Sequence, residues 1–345
     1  MIAISVIMST FNTPEEYLRA SIESILKQSF ENFELIIVDD GSTKNDISIV
    51  KSYHDSRIVL IENQANKGLP YSLNRALLIA KGKYIVRMDS DDISLPTRLQ
   101  CQYDFMEKNR DIAVAGCHAT KIGAKKGIMV SLPSKIDLRT YLLFKNPIIH
   151  PSTIIRKEFI DHYELTYDLA CFRGQDYELW TRVALCGNLD IMPDLLLKYR
   201  FHDNQLTSES SKEIRRKNGI ALYQKFLPKY GIELNDRLYE AYYDLVNARP
   251  FNKIEQLKEL YDSLGAIVRN VNNLNKKAYN QYLDYFYFYN LLGNLAVKRY
   301  RLSFTYIKLL FHPIRFVHFF NLFLAFELTK IKYKRIQAKN RHLDA

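Results

Sequence analysis

Residues 3–8 form a short apolar run that reads as a strand, and residues 14–28 follow with Tyr17, Leu18, Ile22, Ile25 and Leu26 at helical spacing. The alternation then repeats. Residues 33–38 and 58–62 predict a second and a third strand, and residues 47–54 and 69–80 predict the helices that follow each. Residues 84–88 predict a fourth strand, rich in β-branched and aromatic side chains. This β-α-β-α-β-α-β order implies an α/β domain with a mainly parallel sheet and helices on both faces.

Regularity then weakens. Residues 96–108 predict a helix with Ser94 as its cap and Pro96 near its start, and residues 112–117 predict a strand. Residues 118–175 mix short strands with turns, and helical spacing returns over 176–186. Beyond about residue 210 the pattern is nearly all helix, so a boundary is expected within 205–215. That divides the chain into an α/β domain, residues 1–210, and a smaller helical region, residues 211–345.

Charge sharpens this division. The net charge of +11 lies wholly in residues 249–345, which carry 17 Lys or Arg against six Asp or Glu, while residues 1–248 are balanced. A basic tail attracts nucleic acid, anionic lipid or acidic glycan, and charge alone does not choose among them. No nucleic-acid motif accompanies it. Tyr282, Tyr285, Phe286 and Tyr289, and then Phe316, Phe319, Phe320 and Phe323, recur at helical spacing that suits core packing. The second set, followed by Lys330, Lys332, Lys334 and Arg335, also suits an anionic membrane surface. Residues 316–326 are the most apolar late segment and reach about half the ~20 residues that span a bilayer. Neither a signal peptide nor a transmembrane helix is expected. Four scattered cysteines argue against a zinc site or a disulfide framework and fit a reducing cytosol.

The candidate chemistry sits where the predicted strands end. The fourth strand stops in Asp89, Ser90, Asp91 and Asp92, and the second stops in Asp39, Asp40, Gly41 and Ser42. Either cluster alone has the composition of a plain turn. In a parallel sheet, however, carboxyl ends share one edge, where ligands bind, and the polar end of the first strand, Ser9 to Asn12, joins them there. Hard carboxylate oxygens suit Mg²⁺ or Mn²⁺, which leave positions open for substrate phosphates. An aspartate at this edge can accept a hydrogen bond from a nucleobase. Lys67, between Asn66 and Gly68, can offer a cation to phosphate.

Together these segments resemble the inverting glycosyltransferases of family 2, which have the GT-A fold. The resemblance runs through residues 5–12, 37–42, Asn66-Lys67-Gly68 to Asn74, and 87–92, in order and spacing over about the first 205 residues. It implies that Ser9, Thr10 and Asn12 line a nucleotide pocket, that Asp40, beside Asp39, contacts the base, usually uracil, and that Lys67, Gly68 and Asn74 belong to the donor site. Asp89-Ser90-Asp91 matches the family's Asp-x-Asp element, with Asp91 as a metal ligand and Asp89 on the ribose or the metal. Gly174-Gln175-Asp176-Tyr177 looks like the family's catalytic segment, with Gln175 where Glu is common, and Asp176 aligns with the general base. The same Asp176 also suits the cap of a helix starting at Tyr177. Residues 199–204 resemble the segment that closes the catalytic domain and offer His202 as a further metal ligand or diphosphate contact. His150, in a segment that also matches, is placed toward the acceptor.

The implied activity is metal-dependent transfer of a sugar, with inversion, from a nucleotide donor (a UDP-sugar above others) to a glycan or lipid-linked acceptor, in the cytoplasm or at the inner face of the membrane. Two rivals are a nucleotidyltransferase and a catalytically silent sugar-nucleotide-binding module. The first would show a Gly-rich basic loop after the first strand, which residues 9–14 lack, and Asp176 argues against the second.

Overall fold

In the computed structural model the apolar runs become strands, and those at residues 4–10, 33–39 and 84–89 are buried on both faces. The structure describes residues 1–132, 136–171, 173–202, 212–247, 249, 254–271, 274–296 and 313–340. The chain groups into two units, Met1–Ser134 with Ile148–Ser208, and Lys135–Pro147 with Glu209–Ala345. Most of the stretch 205–215 lies outside the described residues.

The first unit begins β1 (Ile4–Thr10), α1 (Glu15–Leu26), β2 (Phe33–Asp39), α2 (Asp46–Lys51), β3 (Ile58–Glu62), α3 (Leu69–Ile79) and β4 (Tyr84–Asp89). It continues with β5 (Ile93–Ser94), α4 (Arg98–Lys108), β6 (Ile112–Gly123), β7 (Gly127–Met129), β8 (Ile154–Arg156), α6 (Lys157–His162), α7 (Gln175–Cys186) and β9 (Asn188–Phe201). The short helix α5 (Leu138–Tyr141) belongs to the second unit.

The strands form one sheet in the order β3-β2-β1-β4-β8-β6-β9-β5, with β7 beside β6. β1, β2, β3 and β4 are mutually parallel, whereas β8 runs antiparallel between β4 and β6. The chain moves outward from β1 through β2 to β3, then returns to the other side of β1 for β4. That reversal opens a crevice at the carboxyl end of β1. Register sets Thr10 beside Asp39 and Ser9 beside Asp89 across it.

Alternate side chains of β1 explain the layers. Ile4, Val6 and Met8 pack with Leu18, Ile22 and Ile25 of α1 and with Leu99 and Met106 of α4 in one cluster. Helix α3 lies against β1 and β2 through Leu73 and Ala76, which are buried outside that cluster. Burial of each such aliphatic side chain stabilises by roughly 1.5–3 kcal/mol, so the carboxyl edge rests on a rigid base.

Three elements depart from the sequence reading. Ser94 does not cap a helix: residues 93–94 pair with β9, and α4 starts at Arg98 after Thr97. Strand β6 runs twelve residues, to Gly123, because β9 pairs with it in parallel along most of its length. Nor does Asp176 cap α7. That helix begins at Gln175, Gly174 is its N-cap in the left-handed region at φ 76°, and Asp176 sits in the first turn.

The second unit is helical: α8 (Lys212–Phe226), α9 (Asp236–Val246), α10 (Ile254–Asn270), α11 (Lys276–Ala296) and α12 (Pro313–Asn340). Its core is aromatic. The Phe144 ring is stacked with Phe286 and Tyr242, and Tyr279 and Tyr282 close round it. Tyr223 and Tyr242 donate their hydroxyls to the Phe144 and Leu143 carbonyls at 2.7 and 3.0 Å, so these buried phenols are satisfied. Tyr282, Phe286 and Phe319 are buried, as expected of core positions, whereas Tyr289, Phe320 and Phe323 are exposed. Among the described residues, no helix is long and apolar enough to cross a membrane.

Candidate active site

The carboxyl end of β2 is held by its own acids. Asp39 is fully buried, accepts the Ser42 N–H at 3.0 Å through Oδ2, and leaves Oδ1 buried without a partner among the described residues. Asp40 accepts three hydrogen bonds: from Asn63 Nδ2 at 2.7 Å and Lys67 N at 3.0 Å on Oδ1, and from Gly68 N at 2.8 Å on Oδ2. It therefore fixes the Asn66–Gly68 loop by its backbone while the Lys67 side chain stays exposed. Gly41 makes this approach possible. Its φ is 73°, and a Cβ there would lie 2.4 Å from the Ala65 carbonyl carbon.

The end of β1 is equally committed. Thr10 Oγ1 donates to Asp46 Oδ2 at 2.5 Å and lies 2.9 Å from Thr13 Oγ1, which in turn is 2.8 Å from Ser90 Oγ. Asp46 also accepts the Thr13 N–H. Asn12 takes the left-handed conformation, φ 51°, that asparagine tolerates. Its Oδ1 accepts the Thr43 and Lys44 N–H groups at 2.9 and 3.2 Å. Of the expected nucleotide-pocket residues, Ser9 keeps partial exposure, Thr10 is buried, and Asn12 braces the 42–44 turn.

At the end of β4, one carboxylate oxygen from each of Asp89, Asp91 and Asp92 lies within 4.8 Å of the others. His202 Nε2 is 2.8 Å from Asp91 Oδ2. The β9 end adds Arg200, whose N–H donates to Asp92 Oδ1 at 2.8 Å and whose Nε donates to the Asp91 carbonyl at 2.7 Å. The Arg200 guanidinium lies 4.1 Å over the Tyr17 ring, and that ring also faces His202. Burial and the Asp89 charge raise the Asp91 carboxyl above the usual carboxylate range, against the pull of His202. Burial, with Asp89 and Asp91, raises Asp92 further. Asp203 and Asn204, from the same resembling segment, lie outside the described residues.

This donor set fits a hard divalent cation. It offers three carboxylates and an imidazole, and Asp92 Oδ2 is buried with no hydrogen-bond partner among the described residues. Such mutual repulsion is what a dication relieves.

Beneath the acids, two arginines are wholly buried. Arg87 pairs with Asp89, Nη2 to Oδ1. Arg98 donates Nη2 to the Arg87 and Pro151 carbonyls at 2.8 and 2.7 Å and Nη1 to Ser94 at 3.0 Å, which ties β4 to the 3-10 turn His150–Ser152. Burial brings its guanidinium down to about 10. His150, on that turn, is 2.8 Å from the Tyr167 hydroxyl through Nε2 and sits edge-on to Trp180. Burial, then the Arg87 charge, lowers its pKa well below the ordinary imidazole value, so it is neutral at pH 7.

Asn74 uses both amide atoms on the Tyr167 backbone: Nδ2 donates to its carbonyl, and Oδ1 accepts its N–H, both at 2.8 Å. It is a clamp on the segment that carries Tyr167. Burial raises the Tyr167 phenol, and the charges of both Asp176 and Asp89 add to the rise. One buried hydroxyl thus lies within electrostatic reach of the first turn of α7 and the end of β4.

Sequence reasoning missed Thr13, Asp46, Asn63, Arg87, Tyr167 and Arg200. Partners such as Arg200 and Asp92 lie 108 positions apart and leave no local pattern.

The chain is similar to known proteins in sequence and in fold. The family model described as Glycosyl transferase family 2 matches residues 5–164. An uncharacterized glycosyltransferase of Haemophilus influenzae is 32% identical over 283 residues, 76% of this chain and 86% of that protein. An Escherichia coli enzyme, the UDP-Glc:alpha-D-GlcNAc-diphosphoundecaprenol beta-1,3-glucosyltransferase WfaP, is 29% identical over 246 residues, 71% of this chain and 93% of that one. The crystal structure of S. aureus TarS in complex with UDP-GlcNAc superposes with a TM-score of 0.56 at 18% identity, covering 89% of this chain and 91% of that one, which speaks for the fold. With the acid-lined carboxyl edge, the long alignment to the Haemophilus influenzae protein and the family match all agreeing, this chain is a family 2 glycosyltransferase.

Proposed function

We propose that the enzyme transfers a sugar, with inversion and with the help of Mn²⁺ or Mg²⁺, from a UDP-sugar to a glycan or lipid-linked acceptor. The observation that carries this reading is the convergence of Asp89, Asp91 and Asp92 at the crevice beside β1, within 4.8 Å of one another. Asp89 and Asp91, with His202, would hold the cation, whose chemistry is to neutralise the departing diphosphate. The Asp40-anchored loop, with Gly68 at the start of α3, walls the donor side together with Ser9, Thr10, Asn12, Asp39, Lys67 and Ser90. Asn74 contributes by fixing Tyr167.

On the acceptor side, the Asp176 carboxylate takes the proton of the attacking hydroxyl as that oxygen bonds to the anomeric carbon and the bond to diphosphate breaks. Gly174 frees this geometry: with a glycine as N-cap, the Asp176 side chain is not needed for the cap. His150, neutral and bound to Tyr167, serves as a fixed hydrogen-bonding wall rather than as an acid.

The acceptor reading brings a membrane surface with it, because WfaP acts on a diphosphoundecaprenol-linked sugar. On α12, Val317, Leu324, Leu328 and Ile331 are exposed at helical spacing, with Lys330 and Lys332 beside them. An apolar stripe with basic flanks suits the anionic inner face of a membrane.

The direct test is nucleoside diphosphate release from a panel of nucleotide sugars in Mn²⁺ and in EDTA, with the product anomer read by NMR. Release from a UDP-sugar that requires Mn²⁺ and disappears in Asp91→Ala is expected. Full activity of Asp91→Ala in metal-depleted buffer, or retained anomeric configuration, would overturn the reading.

A further inference from the structure

Arg87 lies within the 87–92 segment, and the resemblance gives it no role. It stands two positions before Asp89 on β4, so both side chains leave the same face of the strand. Its side chain is 2% exposed and pairs through Nη2 with Asp89 Oδ1, while Nε and Nη1 are buried without a hydrogen-bond partner among the described residues. A buried charge with two unsatisfied donors is destabilising by itself. Arg98 beside it shows what a structural arginine looks like here, with hydrogen bonds to two carbonyls, a serine and a glutamine. Arg87 makes no comparable set. What it does have is charge: it pairs with Asp89, and one carboxylate oxygen from each of Asp89, Asp91 and Asp92 lies within 4.8 Å of the others.

We propose that Arg87 is a built-in counter-cation for the Asp89, Asp91 and Asp92 carboxylates, a positioning residue that holds Asp89 and balances the cluster in metal-free protein. This rests on reading the cluster as a divalent-cation site. Two consequences follow from the same charge. Without metal, Arg87 lets three carboxylates share one corner of the fold. With metal, it repels the dication and competes for Asp89, which keeps the cation exchangeable rather than structural.

The test uses the full chain and manganese chloride alone. Thermal unfolding is recorded in EDTA and in Mn²⁺, and Mn²⁺ affinity by calorimetry, for wild type, Arg87→Met and Arg87→Lys. Arg87→Met should lose stability in EDTA and recover most of it in Mn²⁺, and should bind Mn²⁺ roughly tenfold more tightly. Arg87→Lys, which keeps the charge, should stay near wild type in affinity. An equal loss of stability in both buffers, or unchanged or weaker Mn²⁺ binding, would mean that Arg87 serves packing only. A second comparison holds even where Arg87→Met alone does not fold. In EDTA, Arg87→Met combined with Asp89→Asn removes one charge of each sign and should unfold at a higher temperature than Arg87→Met. A double variant no more stable than the single one, or equally unable to fold, overturns the proposal. Wild type that binds no Mn²⁺ would defeat the metal reading instead, and the EDTA comparison would still decide the role of Arg87.

Discussion

Replacing Asp40 with asparagine removes one charge and one acceptor from a carboxylate that takes three hydrogen bonds. Oδ1 receives Asn63 Nδ2 and Lys67 N, and Oδ2 receives Gly68 N. The better orientation of the new amide keeps its oxygen on Asn63 and Lys67 and turns its NH₂ toward the Gly68 N–H, donor against donor. Asn63 cannot flip to help, because its Oδ1 already accepts from Arg75 and its Nδ2 also donates to Ser72. A hydrogen bond to a charged group contributes about 1.5–3 kcal/mol, and an orphaned buried N–H costs a further ~1–3 kcal/mol. The expected loss is therefore about 2.5–6 kcal/mol. For the α/β unit, of about 200 residues, that corresponds to a fall in Tm of roughly 10 °C. It should be measured by thermal unfolding without donor. The donor KM should rise as well, since the Asn66–Gly68 loop loses its anchor, and diphosphate release would record that. A Tm within about 2 °C of wild type, with only KM changed, would refute the reasoning and leave Asp40 as a base contact alone.

Asp176→Asn keeps size and much of the hydrogen bonding but cannot take the acceptor proton, so turnover should fall by about 10²–10⁴-fold with donor binding little changed; normal turnover would place the base elsewhere. The raised pKa values of Asp91 and Asp92 mean that the folded state binds protons more readily than the unfolded chain. In EDTA, stability should therefore increase as pH falls from neutrality toward their raised values, and Mn²⁺ should suppress the increase; a flat Tm in EDTA over about pH 7.5 to 5 would contradict this. Exchanging Leu324 and Leu328 for serine should release the protein from phosphatidylglycerol vesicles in a sedimentation assay, and high salt should weaken the wild type's hold; equal binding by both forms would remove α12 as the contact.

The first four strands and their connecting helices could be read from the sequence because β1, β2 and β4 are buried on both faces and β3, half-buried at the sheet edge, is apolar from Ile58 to Ile61. A strand with no solvent side must be apolar throughout, and its end is marked by the first polar residues, as at Asp39 and Asp89. Parallel pairing then brings those ends to one edge, so the acids at 39–40 and 89–92 could be grouped before any contact was known. The aromatic periodicity of α11 likewise marked Tyr282 and Phe286 as core.

What only tertiary structure decided are the partners of those acids. The family resemblance assigned Asn74 and Asn12 to a donor pocket, but it could not give the partners of their amides, which are Tyr167 and the 42–44 turn, 93 and about 30 positions away. Ser94 had the makings of a cap, but β9 returns from a hundred residues downstream to pair with it, and its backbone bonds outweigh one side-chain cap. Arg87 stood in the 87–92 segment with no role of its own; only the fold shows that it is buried and paired with Asp89, beside an Arg98 satisfied by carbonyls. Periodicity reports which face of an element is dry, because burial acts on every residue of a run. It cannot report which polar groups meet inside, because each such meeting is one pairwise contact between distant segments, fixed only when the sheet closes.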